Sequence, residues 1–422
     1  MESPESRTAK QKAQAPRPRW VLHLQATMWR FLMGLGMLFH KLAPPRPPKP
    51  SFTRQIPTTI SGTKGTVTLY FYVPRDYATQ KQLWMDKPNT VNQHIRRRSM
   101  SGRRWGGYAV VINFHGGGFT LGTATDDARW CGTVVDECNA VVVSVDYRLA
   151  PECPFPTAVE DGVDAVLWMH EHAAELGIDR EKIAISGFSS GGNMAFTVPL
   201  RLYDEQTGFL RDEPEANPTE STPQQGQRSK RHKPNTTVTK SRDIPDVHIR
   251  AIIPWYPSLD YTRTREQRRA TTLRKDQELP ALFTDLFDES YLHPPHTIEL
   301  DSPYLSPGVA PTALLKNALP DEIIMNTCEW DMLLDEGEAF RKRLTSEPLN
   351  KHVNYHLIEG VPHGWDKAPN PWKPTPGVRE HYLRVCKEMR RVFGPQPGVD
   401  LREHPTKAGP SAAPRGSISV VR

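Results

Sequence analysis

"ISGFSSGGN" occupies Ile185–Asn193. An apolar run, "KIAIS" (Lys182–Ser186), stops here, Gly187-x-Ser189-x-Gly191 follows, and a helical pattern begins at Gly192. Glycines at both ends of such a turn let a strand and a helix pack closely across strained backbone. The serine between them projects its hydroxyl at a helix N-terminus, where negative charge is favoured. The motif is short, so its meaning depends on what flanks it.

Outward from the turn, the chain alternates. "TVTLYFYV" (Thr66–Val73), "YAVVINF" (Tyr108–Phe114), "AVVVSVDY" (Ala140–Tyr147), "VHIRAIIPW" (Val247–Trp255), "EIIMNT" (Glu322–Thr327) and "VNYHLI" (Val353–Ile358) read as strands. The continuous apolar ones fit strands buried on both faces. Val159, Val163, Val166, Leu167 and His170 recur at helical spacing, and "EGEAFRKRL" (Glu336–Leu344) and "VREHYLRVCKEMRRVF" (Val378–Phe393) read as helices. Strands alternating with helices predict an α/β fold with a mostly parallel central sheet and helices on both faces. Ligands in such sheets sit beyond the carboxyl ends of the strands.

The 422 residues exceed what this body needs. Forty prolines and a mean hydropathy of −0.58 place much of the chain outside any core. Residues 1–50 form a basic, then apolar, N-terminal segment. The predicted domain covers 51–394, with a disordered insertion at Asp204–Asp246, which is poor in large apolar residues, and a similar tail at 395–422. The net charge of +6 is mild, and its basic runs "RRRSMSGRR" (Arg96–Arg104) and "RSKRHK" (Arg228–Lys233) read as solvated loops, so nucleic acid is not expected as a partner. Five cysteines without C-x-x-C or zinc spacing predict reduced thiols in an intracellular chain and no metal site.

Each candidate functional residue follows a strand. After "YAVVINF" comes His115-Gly116-Gly117-Gly118, backbone stripped of side chains where N–H groups can meet a developing negative charge. A serine needs a base. His363 in "EGVPHGW" (Glu359–Trp365) lies on a Gly/Pro-flanked loop after a late strand. Asp331, in "CEWDMLLDE" (Cys328–Glu336), is placed to orient that imidazole. Glu329 is a less well placed rival, and Asp335 reads as the N-cap of the following helix. The order Ser189, Asp331, His363 is one of several that serine hydrolases use.

Taken together, "HGGGF", "DYRLAPE" (Asp146–Glu152), "GFSSGGN", "DMLLDE" and "HGW" resemble the hormone-sensitive-lipase branch of the α/β-hydrolases, carboxylesterases and lipases of the HGGG type. The resemblance covers roughly residues 64–393. It implies a carboxylic-ester substrate, a catalytic triad of Ser189, Asp331 and His363, and no cofactor. It also implies an oxyanion hole from the N–H groups of Gly116, Gly117 and Ser190, with His115, Tyr147 and Arg148 supporting that loop. A small helical cap is expected from the N-terminal region and residues 260–295, including "LPALFTDLF" (Leu279–Phe287). Phe119, Trp255, Tyr256 and Trp365 are expected to line the pocket, with core packing the competing reading for Trp255. Phe188 departs from the family, which commonly has Asp before the nucleophile. An amidase, thioesterase or deacetylase would use the same triad. A plant hormone receptor of this branch lacks the catalytic histidine, and His363 argues against that non-catalytic reading.

"WVLHLQATMWRFLMGLGMLFHKL" (Trp20–Leu42) admits a signal peptide, a membrane span, or an amphipathic helix. No small-x-small site follows it, which disfavours cleavage. Arg30 at the centre of a span would cost about 3 kcal/mol. On a helix, His23, Thr27, Arg30, Gly34 and Lys41 fall along one side, with Leu24, Met28, Phe31, Leu32, Leu35, Leu38 and Phe39 over much of the rest. The expectation is a helix lying on a lipid surface such as the ER membrane, with Arg17, Arg19, Lys41 and Arg46 near anionic headgroups. A cap helix over the site is the alternative.

Overall fold

The computed structural model describes residues 17–85, 107–210, 244–295, 297–373 and 375–396. In chain order, α1 (Arg19–Leu42) precedes β1 (Phe52–Pro57), β2 (Thr66–Tyr72) and α2 (Tyr77–Met85). Then come β3 (Tyr108–Phe114), α3 (Ala128–Cys138), β4 (Val141–Asp146), α4 (Thr157–Glu171), β5 (Ile178–Phe188) and α5 (Ser190–Thr207). The second half holds β6 (Ile249–Trp255), α6 (Arg265–Ala270), α7 (Ala281–Tyr291), α8 (Thr312–Ala318), β7 (Glu322–Cys328), α9 (Leu334–Thr345), β8 (His352–Ile358) and α10 (Val378–Phe393).

The eight strands form one sheet in the order β1-β2-β4-β3-β5-β6-β7-β8. β1 and β2 join antiparallel, and every pairing from β4 to β8 is parallel. The period of two along β3 sorts its residues between two cores. Val110, Ile112 and Phe114 pack with α4 and α5, whereas Ala109 and Val111 pack with α3 and α10. All seven β3 residues are buried, which accounts for the absence of polar alternation in that run.

The structure adds to the sequence reading in several places. The edge strand β1 and the helices α2, α3, α6 and α8 appear in addition to the expected elements. α5 continues past the expected insertion boundary because Asp204 is buried and stops the helix: Gly208 N–H donates to its carbonyl (2.7 Å) and Leu210 N–H to its carboxylate (2.8 Å). Most of the expected insertion (211–243), the basic run at 96–104 and all but the start of the expected tail lie outside the described residues.

Two helices roof the C-terminal edge of the sheet. α7 belongs to a segment anchored by a buried ion pair between Arg268 and Glu336 at 2.9 Å, and Glu336 also accepts from Leu259 N–H at 2.7 Å. α1 crosses beside α7, with the rings of Trp29 and Phe283 edge to face at 4.6 Å. Its inner side buries Leu22, Ala26 and Met37 and also makes polar bonds. Arg30 donates to the carbonyls of Thr120 (2.9 Å) and Ala150 (2.8 Å) and pairs with Glu152 (2.7 Å), and Arg17 pairs with Glu289 (3.0 Å). No helix among the described residues is long and apolar enough to cross a membrane.

Candidate active site

Ser189 sits at the turn from β5 into α5 with φ 54° and ψ −112°, a conformation that non-glycine residues rarely hold. The surroundings over-determine it. Ser189 N–H donates to the Trp255 carbonyl (2.9 Å), and its own carbonyl accepts from Asn193 N–H (2.9 Å). A Cβ on Gly187 would collide with the carbonyl of Gly191, and one on Gly191 with that of Phe114. Both glycines of the motif are therefore steric requirements of the turn.

β7 and β8 deliver the partners. His363 Nε2 lies 2.8 Å from Ser189 Oγ, and His363 Nδ1 lies 2.6 Å from Asp331 Oδ2. An ionised carboxylate only accepts, so Nδ1 carries a proton, and in the neutral ring Nε2 is then free to accept from the serine. Asp331 is buried, and its other oxygen accepts from Leu333 N–H at 2.9 Å. Glu329 faces elsewhere and accepts from Gly360 N–H (2.7 Å), bracing the loops after β7 and β8. Asp335 is not the expected N-cap. Leu333 holds that position without a side-chain bond, while Asp335 lies in the first turn of α9 and pairs with Arg263 at 2.6 Å.

The glycine loop after β3 passes directly over the serine. A Cβ on Gly116 would stand 3.4 Å from Ser189 Cβ. Gly117 has φ 121°, and its carbonyl accepts from Leu121 N–H (2.8 Å) and Thr120 N–H (3.1 Å). Ser190, the first residue of α5, is buried beside the nucleophilic turn. Beneath the loop, the ring of His115 stacks on Tyr147 at 4.3 Å, and Tyr147 Oη donates to the His115 carbonyl at 2.8 Å. Arg148 pairs with Asp161 at 2.6 Å.

Above Ser189 and His363 lies a predominantly apolar cavity of about 410 Å³. Gly116, Gly117, Phe188 and Tyr256 contribute to its floor, and Trp29, Leu32 and Met33 of α1 with Phe283 and Phe287 of α7 form the roof. Of the four aromatics expected to line it, Tyr256 does, with its ring edge-on to His363 at 4.9 Å. The other three are core residues, buried against neighbouring rings. Trp255 stacks on Phe188 (5.5 Å), Phe119 stacks on Tyr291 (3.9 Å), and Trp365 packs against His381 (5.5 Å).

Sequence reasoning missed Phe188 and Lys367 as cavity residues. Lys367 Nζ lies 2.9 Å from Asp127 and 2.8 Å from Asp366, and 3.8 Å over the face of Phe188. Burial works against the ammonium, yet the two carboxylates hold its pKa well above the ordinary lysine range. Burial pushes Asp127 up. It opposes the charge of Asp366 as well, but Lys367 and the hydroxyls of Tyr256 and Tyr382 (2.5 Å each) bring that group below its usual value. The position before the nucleophile thus holds a ring capped by a half-buried cation. Nothing in the string "HGWDK" signals that contact, since it joins residues 179 positions apart.

A serine hydroxyl bonded to an imidazole that a buried carboxylate orients can be deprotonated as it attacks a carbonyl. Comparison with known proteins points the same way. Residues 111–367 match the alpha/beta hydrolase fold family. Carboxylesterase NlhH of Mycobacterium tuberculosis is 45% identical over 261 residues, 59% of this chain and 68% of that protein. An AB hydrolase superfamily protein of Schizosaccharomyces pombe is 29% identical over 259 residues, 61% of this chain, and the chain spans 63% of its length. The structure of an esterase from Pyrobaculum calidifontis superposes with a TM-score of 0.59 at 24% identity, covering 93% of this chain and 99% of that one. The chain belongs to the alpha/beta hydrolase fold family, in its hormone-sensitive-lipase-like branch.

Proposed function

We propose that the protein is a serine carboxylic-ester hydrolase acting on small to medium apolar esters. The observation that carries this reading is the row Asp331–His363–Ser189, bonded at 2.6 and 2.8 Å beneath an apolar cavity. Ser189 Oγ attacks the ester carbonyl while its proton passes to His363 Nε2. The oxyanion that forms is met by the N–H groups of Gly116, Gly117 and Ser190. The intermediate collapses as His363 protonates the departing alkoxide, leaving an acyl-serine. Water then attacks that acyl group, gives its proton to His363, and releases the acid as Ser189 recovers its proton. Asp331 remains ionised throughout and fixes the tautomer of His363. The reaction calls for no cofactor. α1 lies against a lipid surface inside the cell in the same reading, because its outward side is apolar.

Labelling with a fluorophosphonate and hydrolysis of p-nitrophenyl esters of graded chain length test the reaction. Labelling at Ser189 with turnover of short to medium esters is expected. A protein that neither reacts with the probe nor hydrolyses any ester of the series would not be a serine esterase.

A further inference from the structure

The outward side of α1 presents Leu24, Phe31 and Leu38 at 63%, 73% and 54% exposure, with Trp20, Met28 and Leu35 in line with them. Because α1 already buries Leu22, Ala26 and Met37 against the body, this outward stripe is a second apolar side, where a helix packed onto a soluble body would be polar. Nothing among the described residues covers it, and an apolar stripe of this length needs an occupant. The stripe also does not end at the surface. Leu32 is 43% exposed and lines the cavity, Trp29 and Gly36 line it one step further round the helix, and across the seam stand Phe283 and the exposed Leu282 of α7. Apolar surface therefore runs without a break from the outside of α1, between α1 and α7, to Ser189.

Charge identifies the occupant. Between positions 6 and 50 the chain carries nine Lys and Arg and no Asp or Glu, of which Arg17, Arg30 and Lys41 pair with Glu289, Glu152 and Asp126 of the body. Arg46 and Lys49, just beyond the helix, are exposed. An apolar stripe within a basic segment fits an anionic phospholipid bilayer. We infer that α1 beds into such a bilayer and that the substrate is a hydrophobic carboxylic ester dissolved in it, entering sideways through the α1–α7 seam. This rests on the ester-hydrolase reading and narrows its substrate to lipid-resident esters. Polar bonds from Arg17 and Arg19 to Glu289 and Ser290 pin one end of the seam, and apolar side chains hold the stretch over the cavity. There Trp29 against Phe283 can part in lipid with little loss, while polar bonds from Arg30 hold the other side of the helix.

The test uses the full chain with vesicles of phosphatidylcholine and phosphatidylserine carrying 4-methylumbelliferyl oleate, and soluble p-nitrophenyl butyrate in parallel. The variant Leu24→Ser/Phe31→Ser/Leu38→Ser touches none of the cavity residues. It should keep its melting temperature and its butyrate rate, stop floating with vesicles, and hydrolyse the embedded ester at least about tenfold more slowly. Leu32→Arg, at the seam itself, should still float yet lose hydrolysis of the embedded ester. Undiminished flotation or vesicle activity in the triple variant would overturn the inference. So would a wild-type dimer that the triple variant turns into a monomer, which would make a second copy the occupant. A melting temperature lowered by several degrees in the triple variant would likewise make another part of the chain the occupant. If wild type fails on butyrate as well, the ester-hydrolase reading itself has failed. Intact butyrate hydrolysis with no dependence on the stripe sinks only the lipid route.

Discussion

The floor and the roof of the cavity are built on opposite plans. The floor consists of strand ends and tight turns in which Ser189, His363 and Asp331 are bonded in a row, and bare backbone touches bare backbone at Gly116, Gly187 and Gly191. The roof consists of two helices that meet over the cavity through aromatic side chains, are pinned at one end by Arg17 and Arg19, and expose apolar surface. Small shifts are costly in the floor because hydrogen bonds break and carbonyls collide. In the roof they exchange one apolar neighbour for another. The floor is suited to fixing a reaction, and the roof to deciding what reaches it.

Substitutions in the floor should have the largest effects. Ser189→Ala is expected to lower kcat by about 10⁶-fold with the melting temperature unchanged, and Asp331→Asn by about 10⁴-fold. Glu329→Gln should stay within about twofold of wild type, since its carboxylate serves only the Gly360 N–H; ester hydrolysis assays read all three. If Glu329→Gln is inactive and Asp331→Asn is not, the acid has been misassigned. Lys367→Met leaves Asp127 and Asp366 buried without their cation, and urea unfolding should record a loss of about 3–5 kcal/mol. A loss below about 1 kcal/mol would mean that this part of the floor adapts as a roof does.

The junction between the two regions should respond to acid. His40, near the end of α1, accepts from Arg129 Nε at 3.4 Å, so its Nδ1 carries the proton facing the Ala368 carbonyl at 3.3 Å. Burial, helped by the charge of Lys367, pushes its pKa down to about 4. The unfolded chain therefore binds the proton first. The stability contributed by neutral His40 is complete above about pH 6.5 and is lost towards pH 4, at up to about 1.4 kcal/mol per pH unit. His40→Gln should flatten that slope in urea titrations between pH 7 and 4, and an unchanged slope would place the acid sensitivity elsewhere. The smallest effect belongs to the roof alone. A double-mutant cycle of Trp29→Ala and Phe283→Ala should give a coupling of about 1 kcal/mol in stability. A coupling above about 3 kcal/mol would make the roof as rigid as the floor.

The same division governs how much the sequence discloses. Floor residues were legible because chemistry restricts them. A strained turn needs its glycines, a nucleophile needs a base, and both must follow strands that a continuous apolar run announces. Ser189, Asp331 and His363 come together at hydrogen-bonding distance as that logic expects. β1 was harder, because "FTRQIP" at a sheet edge is mostly exposed and carries little apolar signal. Trp255, Phe119 and Trp365 show a different limit, since large aromatics near a site look alike whether they line a cavity or pack in the core. α1 shows a third. Periodicity separates its two sides but not their destinations, and here the arginine side finds carbonyls and carboxylates on the body while the leucine side faces out.

The sheet order also sets a timetable for a growing chain. Ser189 and its base lie 174 residues apart. At roughly 5–20 residues per second, about 10–35 s separate their addition at the ribosome. Until β7 and β8 are made, the serine has neither the Asp331 carboxylate nor the His363 imidazole beside it. Under the proposed ester-hydrolase function, a nascent chain therefore stays chemically silent until β8 and the loop after it join the sheet.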